Sequence, residues 1–211
     1  MPIAPPKDRG RGTIDNIFNA AVRHFSMKGY EGARIDEIAG EAGINKASIY
    51  YHVGDKAELY QMVIDRILGT IADRVAENIK KSPVNEDRIR IFVKTIARNI
   101  GANEHFAPLM MREIASGGAH LSDSVMLQMM RVFGALFCIL DEGKNEGKLR
   151  PVNPLVVHLM IIGGLVFYMA GGSLRQRIGS LGEAELQIDL DIPMDKAAEQ
   201  FADLIAAALR V

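Results

Sequence analysis

Cysteine is nearly absent from the chain: Cys138 is the only one among 211 residues. A single thiol excludes an internal disulfide and suits a reducing compartment. The first 12 residues, MPIAPPKDRGRG, lack the apolar segment of a secretory signal. We therefore expect a cytoplasmic protein that begins with a flexible, mildly basic arm. Cys138 stands in the apolar run LFCILDE and should be buried, although redox sensing by an exposed thiol is the alternative.

Motifs of the common enzyme classes are also missing. The sequence contains no Walker A loop, GxGxxG turn, HExxH, GxSxG or paired CxxC. His105, His120 and His158 show no metal-ligand spacing with an acidic or cysteine partner, so we expect structural or hydrogen-bonding roles for them. We predict no catalytic site, no metal and no cofactor. An enzyme assembled from scattered catalytic groups is the competing interpretation.

The charge balance and the hydrophobic pattern define the protein class. The net charge of −1 argues against a generally cationic nucleic-acid-binding protein, so any such binding must use a local patch. No alternating strand pattern of any length occurs, whereas apolar residues recur with helical spacing nearly everywhere. The first such stripe consists of Ile14, Ile17, Phe18, Ala21, Val22 and Phe25. We predict an all-α fold of about nine helices.

Capping residues and helix breakers indicate where several helices begin and end. Gly29 should end the first helix, because glycine accepts the left-handed conformation found there. Asp55 begins a capping-box pattern for a long helix. Asn153 caps another helix that has Pro154 at its first position. Residues 179–191 are rich in Gly, Glu and Asp and are predicted to form a loop.

One segment without formal charges, Leu155–Gly172, approaches the length of a membrane span. It contains four glycines and His158, and its aromatic residues do not form end belts. We interpret it as a buried helix of a soluble protein, with a bilayer span as the alternative. This helix and Pro193–Leu209 have more apolar circumference than one monomer can cover. We therefore predict a two-fold homodimer joined through these helices, and no membrane partner.

Two short helices are predicted within RIDEIAGEAGINKASIYYHV, at about residues 34–41 and 46–53. Ala39 permits a close helix crossing, and Gly43 accepts the positive φ of a tight turn. This is the pattern of a helix-turn-helix, whose second helix enters the major groove of DNA. An ordinary small helical domain with exposed tyrosines is the alternative. The predicted DNA contacts are Arg34, Lys46, Ala47, Ser48, Tyr50, Tyr51, His52 and Lys56.

Lys56 is included among the predicted DNA contacts because of its position in the sequence. It lies at the start of the long helix, where the helix dipole does not stabilise a cation. A phosphate partner would explain its position better than the helix does.

The stretch AVRHFSMKGYEGARIDEIAGEAGINKASIYYHVGDKAEL resembles the N-terminal domain of the TetR family of transcriptional regulators. The resemblance implies a helix-turn-helix DNA-binding domain in residues 1–60 and a helical ligand-binding and dimerisation domain in residues 61–211. It also implies a homodimeric repressor that a small hydrophobic or amphipathic effector releases from a palindromic operator in double-stranded DNA. A helical small-molecule-binding protein or an enzyme without a DNA-binding role is the alternative.

The chain departs from the family pattern at two places. Ala33 and Arg34 stand where serine or threonine is frequent, so we expect a weakened helix cap and a phosphate contact from Arg34 instead. Val53 stands where phenylalanine is usual, so the end of the second helix should be packed slightly more loosely.

Methionine is concentrated in the middle helices. Its flexible, polarisable side chain suits adaptable apolar pockets, although methionine and phenylalanine at helical spacing also build ordinary cores. The predicted effector contacts are Phe92, Phe106, Met110, Met126, Met129, Met130, Phe133 and Phe137.

Overall fold

The computed structural model describes residues 6–82, 87–186 and 189–211. Regular structure in this part of the chain is α-helical, apart from an isolated antiparallel bridge between Leu149 and Arg210. The helices are α1 (Pro6–Gly32), α2 (Ile35–Glu41), α3 (Lys46–His52), α4 (Lys56–Lys81), α5 (Arg88–Gly101), α6 (Phe106–Ala115), α7 (Asp123–Asn145), α8 (Pro154–Ala170), α9 (Gly172–Leu186) and α10 (Met194–Leu209). The all-α prediction is confirmed.

The number and extent of the helices correct two expectations. Ten helices are described rather than nine, because α9 continues to Leu186 through part of the segment predicted as the 179–191 loop. Helix α1 begins at Pro6, so residues 6–12 of the expected arm are helical, while residues 1–5 lie outside the described part. Gly29 interrupts α1 with φ 71° and ψ 178°, at the position where the sequence predicts its end.

The helix-turn-helix is formed by α2 and α3. Gly43 has φ 71°, and the amide of Ile44 donates to the carbonyl of Ala39 at 3.0 Å, which closes the turn. Ala39 and Ile49 are buried between the two helices and α1. Ala39 therefore lies at the close helix crossing and Gly43 adopts the positive φ of the turn, as the sequence predicts.

Helix α4 extends from this module into the rest of the chain. Its capping box is formed: the Glu58 amide donates to Asp55 at 2.9 Å, and the Asp55 amide donates to Glu58 at 2.8 Å. At 26 residues it is about 39 Å long, and it packs on α1, α5 and α7. Helix α4 thus crosses the boundary predicted at residue 60, and the two predicted domains share it.

Helices α8 and α10 bury their apolar surface differently. The apolar stripe of α10 packs mainly on α5, and Leu204 is its exposed large apolar residue. Helix α8 begins at Pro154 with Asn153 as its cap, as predicted. It retains a broad exposed apolar face, formed by Leu155, Val156, Leu159, Met160 and Phe167.

Two described segments have the length and hydropathy of a membrane span: α7, and α8 with α9 as a pair bent by 62°. Core helices of soluble proteins satisfy the same criteria, so this is weak evidence. From the sequence, only the α8 segment was considered as a possible membrane span. Helix α7 packs on α4, α5 and α8 along one face.

Candidate DNA-binding interface and cavities

Helix α3 is anchored at its start by a residue that the sequence analysis missed. The Asn45 carboxamide accepts hydrogen bonds from the Ser48 amide at 2.8 Å and from the Ser48 hydroxyl at 3.0 Å. Asparagine is a preferred N-cap residue, so its position before α3 was the available signal. The Ser48 hydroxyl proton is already used, and its oxygen is left as an acceptor.

The other predicted contact residues of α3 are turned outward. Lys46 is exposed and lies 3.1 Å from the Asp36 carboxylate, and Ala47 is also exposed. Tyr51 is 86% exposed, and its ring meets the edge of the His52 ring at 5.1 Å between centroids. An exposed aromatic and cationic surface therefore lies opposite the core-facing side of α3.

Tyr50 shares this outward orientation, because 47% of its surface is exposed, whereas Ile49 is fully buried. The sequence alone leaves open whether Tyr50 packs inward. The structure places it on the candidate interface.

Arg34 and Lys56 flank α3 in different ways. Arg34 is the exposed N-cap residue of α2, and its side chain makes no capping hydrogen bond, which confirms the weakened cap. The Lys56 ammonium donates to the Glu31 carbonyl at 3.1 Å and lies 4.7 Å from the centre of the Tyr30 ring. Lys56 thus has partners within the chain that account for its position without a phosphate. Its phosphate contact stays a prediction.

The acidic residues of α2 are neutralised by cations. Asp36 pairs with Lys46, and the Glu37 carboxylate accepts from Lys28 at 2.7 Å. The Lys28 hydrogen bond holds the pKa of Glu37 below its ordinary value. Glu41 pairs with Arg23 and, at 2.7 Å, with His24. Their negative charges are thereby largely offset near a surface predicted to meet phosphate.

A polar cluster of half-buried Tyr30 and His120 with buried Tyr60 and Glu113 joins this module to the other helices. The Tyr60 hydroxyl on α4 donates to Glu113 on α6, and His120 Nδ1 lies 3.2 Å from the same carboxylate oxygen. Burial and this hydrogen bond raise the pKa of Tyr60 far above its ordinary value. The Tyr30 ring lies 4.6 Å from the His120 ring. The end of α1, the start of α4 and the end of α6 therefore meet in one cluster.

The remaining histidines lie in two different environments. His105 Nδ1 lies 3.2 Å from the Ser26 hydroxyl, so His105 and His120 both hydrogen-bond as expected. His158 packs on the edge of Phe133, and its buried Nδ1 has no hydrogen-bond partner among the described residues. Among those residues no group of three His, Cys, Asp or Glu side chains is placed to hold a metal.

Two cavities adjoin at the end of the molecule where α5 begins and α7 ends. The larger has a volume of about 710 Å³, the smaller about 280 Å³, and both are lined by Arg88, Ile139 and Glu142. The smaller one is also lined by Cys138, which is exposed, so the expected burial of this thiol is wrong. The end of α4 lines the smaller cavity, and the end of α10 lines the larger.

The eight predicted effector contacts are not gathered around either described cavity. Phe92, Phe106 and Met110 are buried in the core. Phe133 is half-buried, and the predicted residues on the outer face of α7 are exposed, namely Met126, Met129, Met130 and Phe137. Helix α7 is apolar on more than half of its circumference, and its neighbours cover a different face, which contains Val125, Val132, Leu136, Ile139 and Leu140. None of the eight lines either described cavity, and their contact with an effector stays a prediction.

Comparison with known proteins agrees with this architecture. Residues 17–63 match the model of bacterial regulatory proteins of the tetR family, and residues 86–181 match that of a tetracyclin repressor-like C-terminal domain. The HTH-type transcriptional repressor NicS of Pseudomonas putida is 27% identical over 158 residues, which are 74% of each chain.

Solved structures share the fold over nearly the whole length. A variant of HlyIIR with a linker in place of one segment is similar with a TM-score of 0.71 and 24% identity, covering 96% of this chain and 97% of that one. FadR of Bacillus subtilis in complex with stearoyl-CoA has a TM-score of 0.72 and 17% identity, covering 93% and 100%. The two matched family models together span both the helix-turn-helix and most of the helices that follow it. The chain therefore belongs to the TetR family of DNA-binding transcriptional regulators, which are not enzymes.

Proposed function

We propose that the protein is a cytoplasmic repressor that binds an inverted-repeat operator as a homodimer and leaves it when a small hydrophobic or amphipathic effector binds. The observation that carries the proposal is the outward face of α3, where Lys46, Tyr50, Tyr51 and His52 are exposed opposite the buried Ile49. The relative NicS is named a transcriptional repressor, which supports repression as the direction of regulation. The FadR complex contains stearoyl-CoA, an amphipathic molecule, and supports the effector class.

The candidate DNA contacts divide into two kinds. Cations bind phosphate on any sequence, and Arg34, Lys46 and Lys56 flank α3 in a suitable arrangement. Tyr51 and His52 present hydroxyl and ring N–H donors that reach phosphate or base edges once α3 lies in the major groove. Ala47 is small enough to let the helix backbone approach the groove closely.

The test is operator binding by variants of this face, on a site selected from random DNA. Replacement of Lys46, Tyr51 and Lys56 together by alanine should abolish specific binding. Lys56→Ala alone should weaken binding about equally on all sequences and lower the salt slope by about 1. Lys144→Ala, an exposed lysine at the far end of α7, is the matched control. Retention of specific binding by the triple variant would contradict the proposal.

Dimerisation should use the exposed apolar face of α8. That face requires a partner, whereas the stripe of α10 is already covered by α5, so α8 should contribute more of the interface than α10. An obligate interface should bury roughly 2,000 Å² or more in total. The two α3 helices should then lie about 34–36 Å apart, or a multiple of this, to fit half-sites of an inverted repeat.

Release by the effector should be transmitted through α4, which runs from the DNA-binding module to the cavities. An effector acts only if it binds the free and DNA-bound conformations with different affinity. A coupling free energy of about 1–3 kcal/mol would change operator affinity about 5- to 150-fold. Operator titrations with and without a bound ligand measure this coupling directly, and a ligand that leaves operator affinity unchanged is not an effector.

A further inference from the structure

The two adjoining cavities form a cleft between the start of α5, the ends of α4 and α7, and the end of α10, here named the α5–α7 cleft. We infer that this cleft binds the effector, and that the effector is a small amphipathic molecule with an apolar body and one hydrogen-bond-accepting head, such as a carboxylate. The inference rests on the proposed function and assigns to it a site other than the methionine-rich set predicted from the sequence.

The size of the larger cavity and the apolar part of its wall suit an apolar body, while six of its lining residues are charged. The larger cavity, at about 710 Å³, falls within the range of about 300–1,000 Å³ found for small-molecule sites. Ile89, Ile139 and Ala206 line it with side chains that belong to the buried core, and Leu149 packs against that core. A ligand would therefore displace water from an apolar surface that is continuous with the protein interior.

Arg88 supplies the polar contact. It lines both cavities, and its guanidinium donates to the Glu142 carboxylate through Nη1. Its Nε, by contrast, is buried and has no hydrogen-bond partner among the described residues. That nitrogen is closed to solvent, so a ligand oxygen would bond instead to another N–H group of the guanidinium, which belongs to a side chain that is 29% exposed. Arg88 is also the first residue of α5, where the helix dipole favours negative charge.

The remaining charges at the rim limit the charge of the ligand. Lys148 pairs with Glu146 at 2.7 Å, and Arg210 pairs with Asp87 at 3.1 Å. Each rim cation is thus already matched by a carboxylate. A single acceptor head fits this balance better than a multiply charged group does.

The position of the cleft connects it to DNA binding. Ala76 and Ile79 of α4 line the smaller cavity, while Tyr60 near the other end of α4 bonds to Glu113. A ligand that extends into the smaller cavity therefore contacts the helix whose first residues support the DNA-binding module. Such a ligand can favour one position of α4 over another.

The single cysteine provides a site-specific test. Cys138 is exposed and lines the smaller cavity, so a ligand there should shield it from iodoacetamide. With decanoate as the probe, we expect alkylation of the full-length protein to slow at least about fivefold at saturation, and its concentration dependence gives the Kd. Cys138→Ser should not be labelled at all.

Two variants of one ion pair separate a ligand contact from a structural role. Arg88→Met removes the donor and should weaken decanoate binding about tenfold or more. Glu142→Gln removes the carboxylate that competes with the ligand for Arg88, so this variant should bind decanoate more tightly. Arg131→Met, which breaks the exposed pair of α7 with Asp73 on α4 outside the cleft, should leave the Kd unchanged. Absence of protection in the wild type, or a shift in the same direction for both cleft variants, overturns the inference.

Operator binding measured on the same samples distinguishes this inference from the proposed function. Specific DNA binding without protection of Cys138 by decanoate would reject the cleft and leave the repressor proposal intact. Protection of Cys138 in a protein that selects no DNA sequence would reject the repressor and leave the cleft as a ligand site.

Discussion

The Tyr60 hydroxyl on α4 donates a hydrogen bond to the Glu113 carboxylate on α6, and both side chains lie almost wholly in the protein interior. Glu113 is 2% exposed, and its other oxygen has no hydrogen-bond partner among the described residues. His120 provides the second contact to the bonded oxygen. The buried carboxylate is therefore held by few donors, and each of them should matter for the stability of the α4–α6 contact.

Tyr60→Phe tests this dependence. Loss of the hydroxyl leaves a buried carboxylate with one donor fewer, and the free energy of unfolding should fall by about 1–3 kcal/mol. Tyr51→Phe removes the same hydroxyl from a side chain that is 86% exposed and should change stability little. Urea unfolding at constant m-value measures both variants. Equal stability of the two would show that the buried bond contributes nothing.

The sequence predicted those features that depend on neighbouring residues. The capping box of Asp55 and the cap of Asn153 before Pro154 formed where expected, because each is completed within one helical turn. The turn at Gly43 was predictable for the same reason: only a residue that tolerates positive φ fits there. The exposed residues of α3 followed from these boundaries together with the resemblance to the family.

Features that depend on distant parts of the chain were not predictable in this way. The partners of Lys56 are Tyr30 and the Glu31 carbonyl, which are brought to it only when α1 packs on α4. On α7 the apolar residues cover more than half of the helix, so periodicity cannot tell which of them face inward, and Met130 and Phe137 face solvent. Helix α9 forms despite its glycines, because the intrinsic helix propensity of single residues is small enough for the tertiary context to override it.

Two helical glycines, Gly164 in α8 and Gly134 in α7, should respond oppositely to alanine. A Cβ atom at Gly164 would lie 2.8 Å from the Phe201 ring, so α8 and α10 approach closely there within one chain. Gly164→Ala should destabilise the protein by about 1–3 kcal/mol through overpacking. A Cβ at Gly134 meets nothing within 4 Å, and Gly134→Ala should stabilise α7 by roughly 0.5–1 kcal/mol. Thermal unfolding should give a Tm below that of the wild type for Gly164→Ala and a Tm above it for the other variant. The reverse order of the two Tm values would contradict the prediction.

Introduction of a charge on the exposed face of α8 should dissociate the dimer. Met160 is 55% exposed on that face, and Met160→Glu would place a carboxylate in the apolar centre of the proposed interface. Met27→Glu makes the same change on α1, at a methionine that is 68% exposed. Light scattering at micromolar concentration should give a monomer for the first variant and a dimer for the second. Dimers from both would exclude this part of α8 from the interface.

His158 should make stability depend on pH in the mildly acidic range. Burial lowers the pKa of this histidine below its ordinary value of 6.5, because the interior disfavours the charged imidazole. Above 6.5 the imidazole is neutral in both states, and its contribution to stability is complete. As the pH falls below 6.5, the unfolded chain binds a proton that the folded chain resists, so the free energy of unfolding decreases until the folded pKa is passed.

His158→Gln keeps a neutral polar side chain next to Phe133 and removes the titration. Carboxylates elsewhere also titrate at low pH, so the relevant quantity is the difference in unfolding free energy between wild type and variant. We expect this difference to be constant above about pH 7 and to shift against the wild type as the pH falls through about 6.5. His52→Gln, on the exposed face of α3, should follow the wild-type curve. Urea unfolding across this pH range measures the difference. Parallel curves of unfolding free energy against pH for wild type and His158→Gln would contradict the prediction. They would mean that the folded protein accommodates protonated His158, with water or a partner subunit accepting a hydrogen bond from its Nδ1.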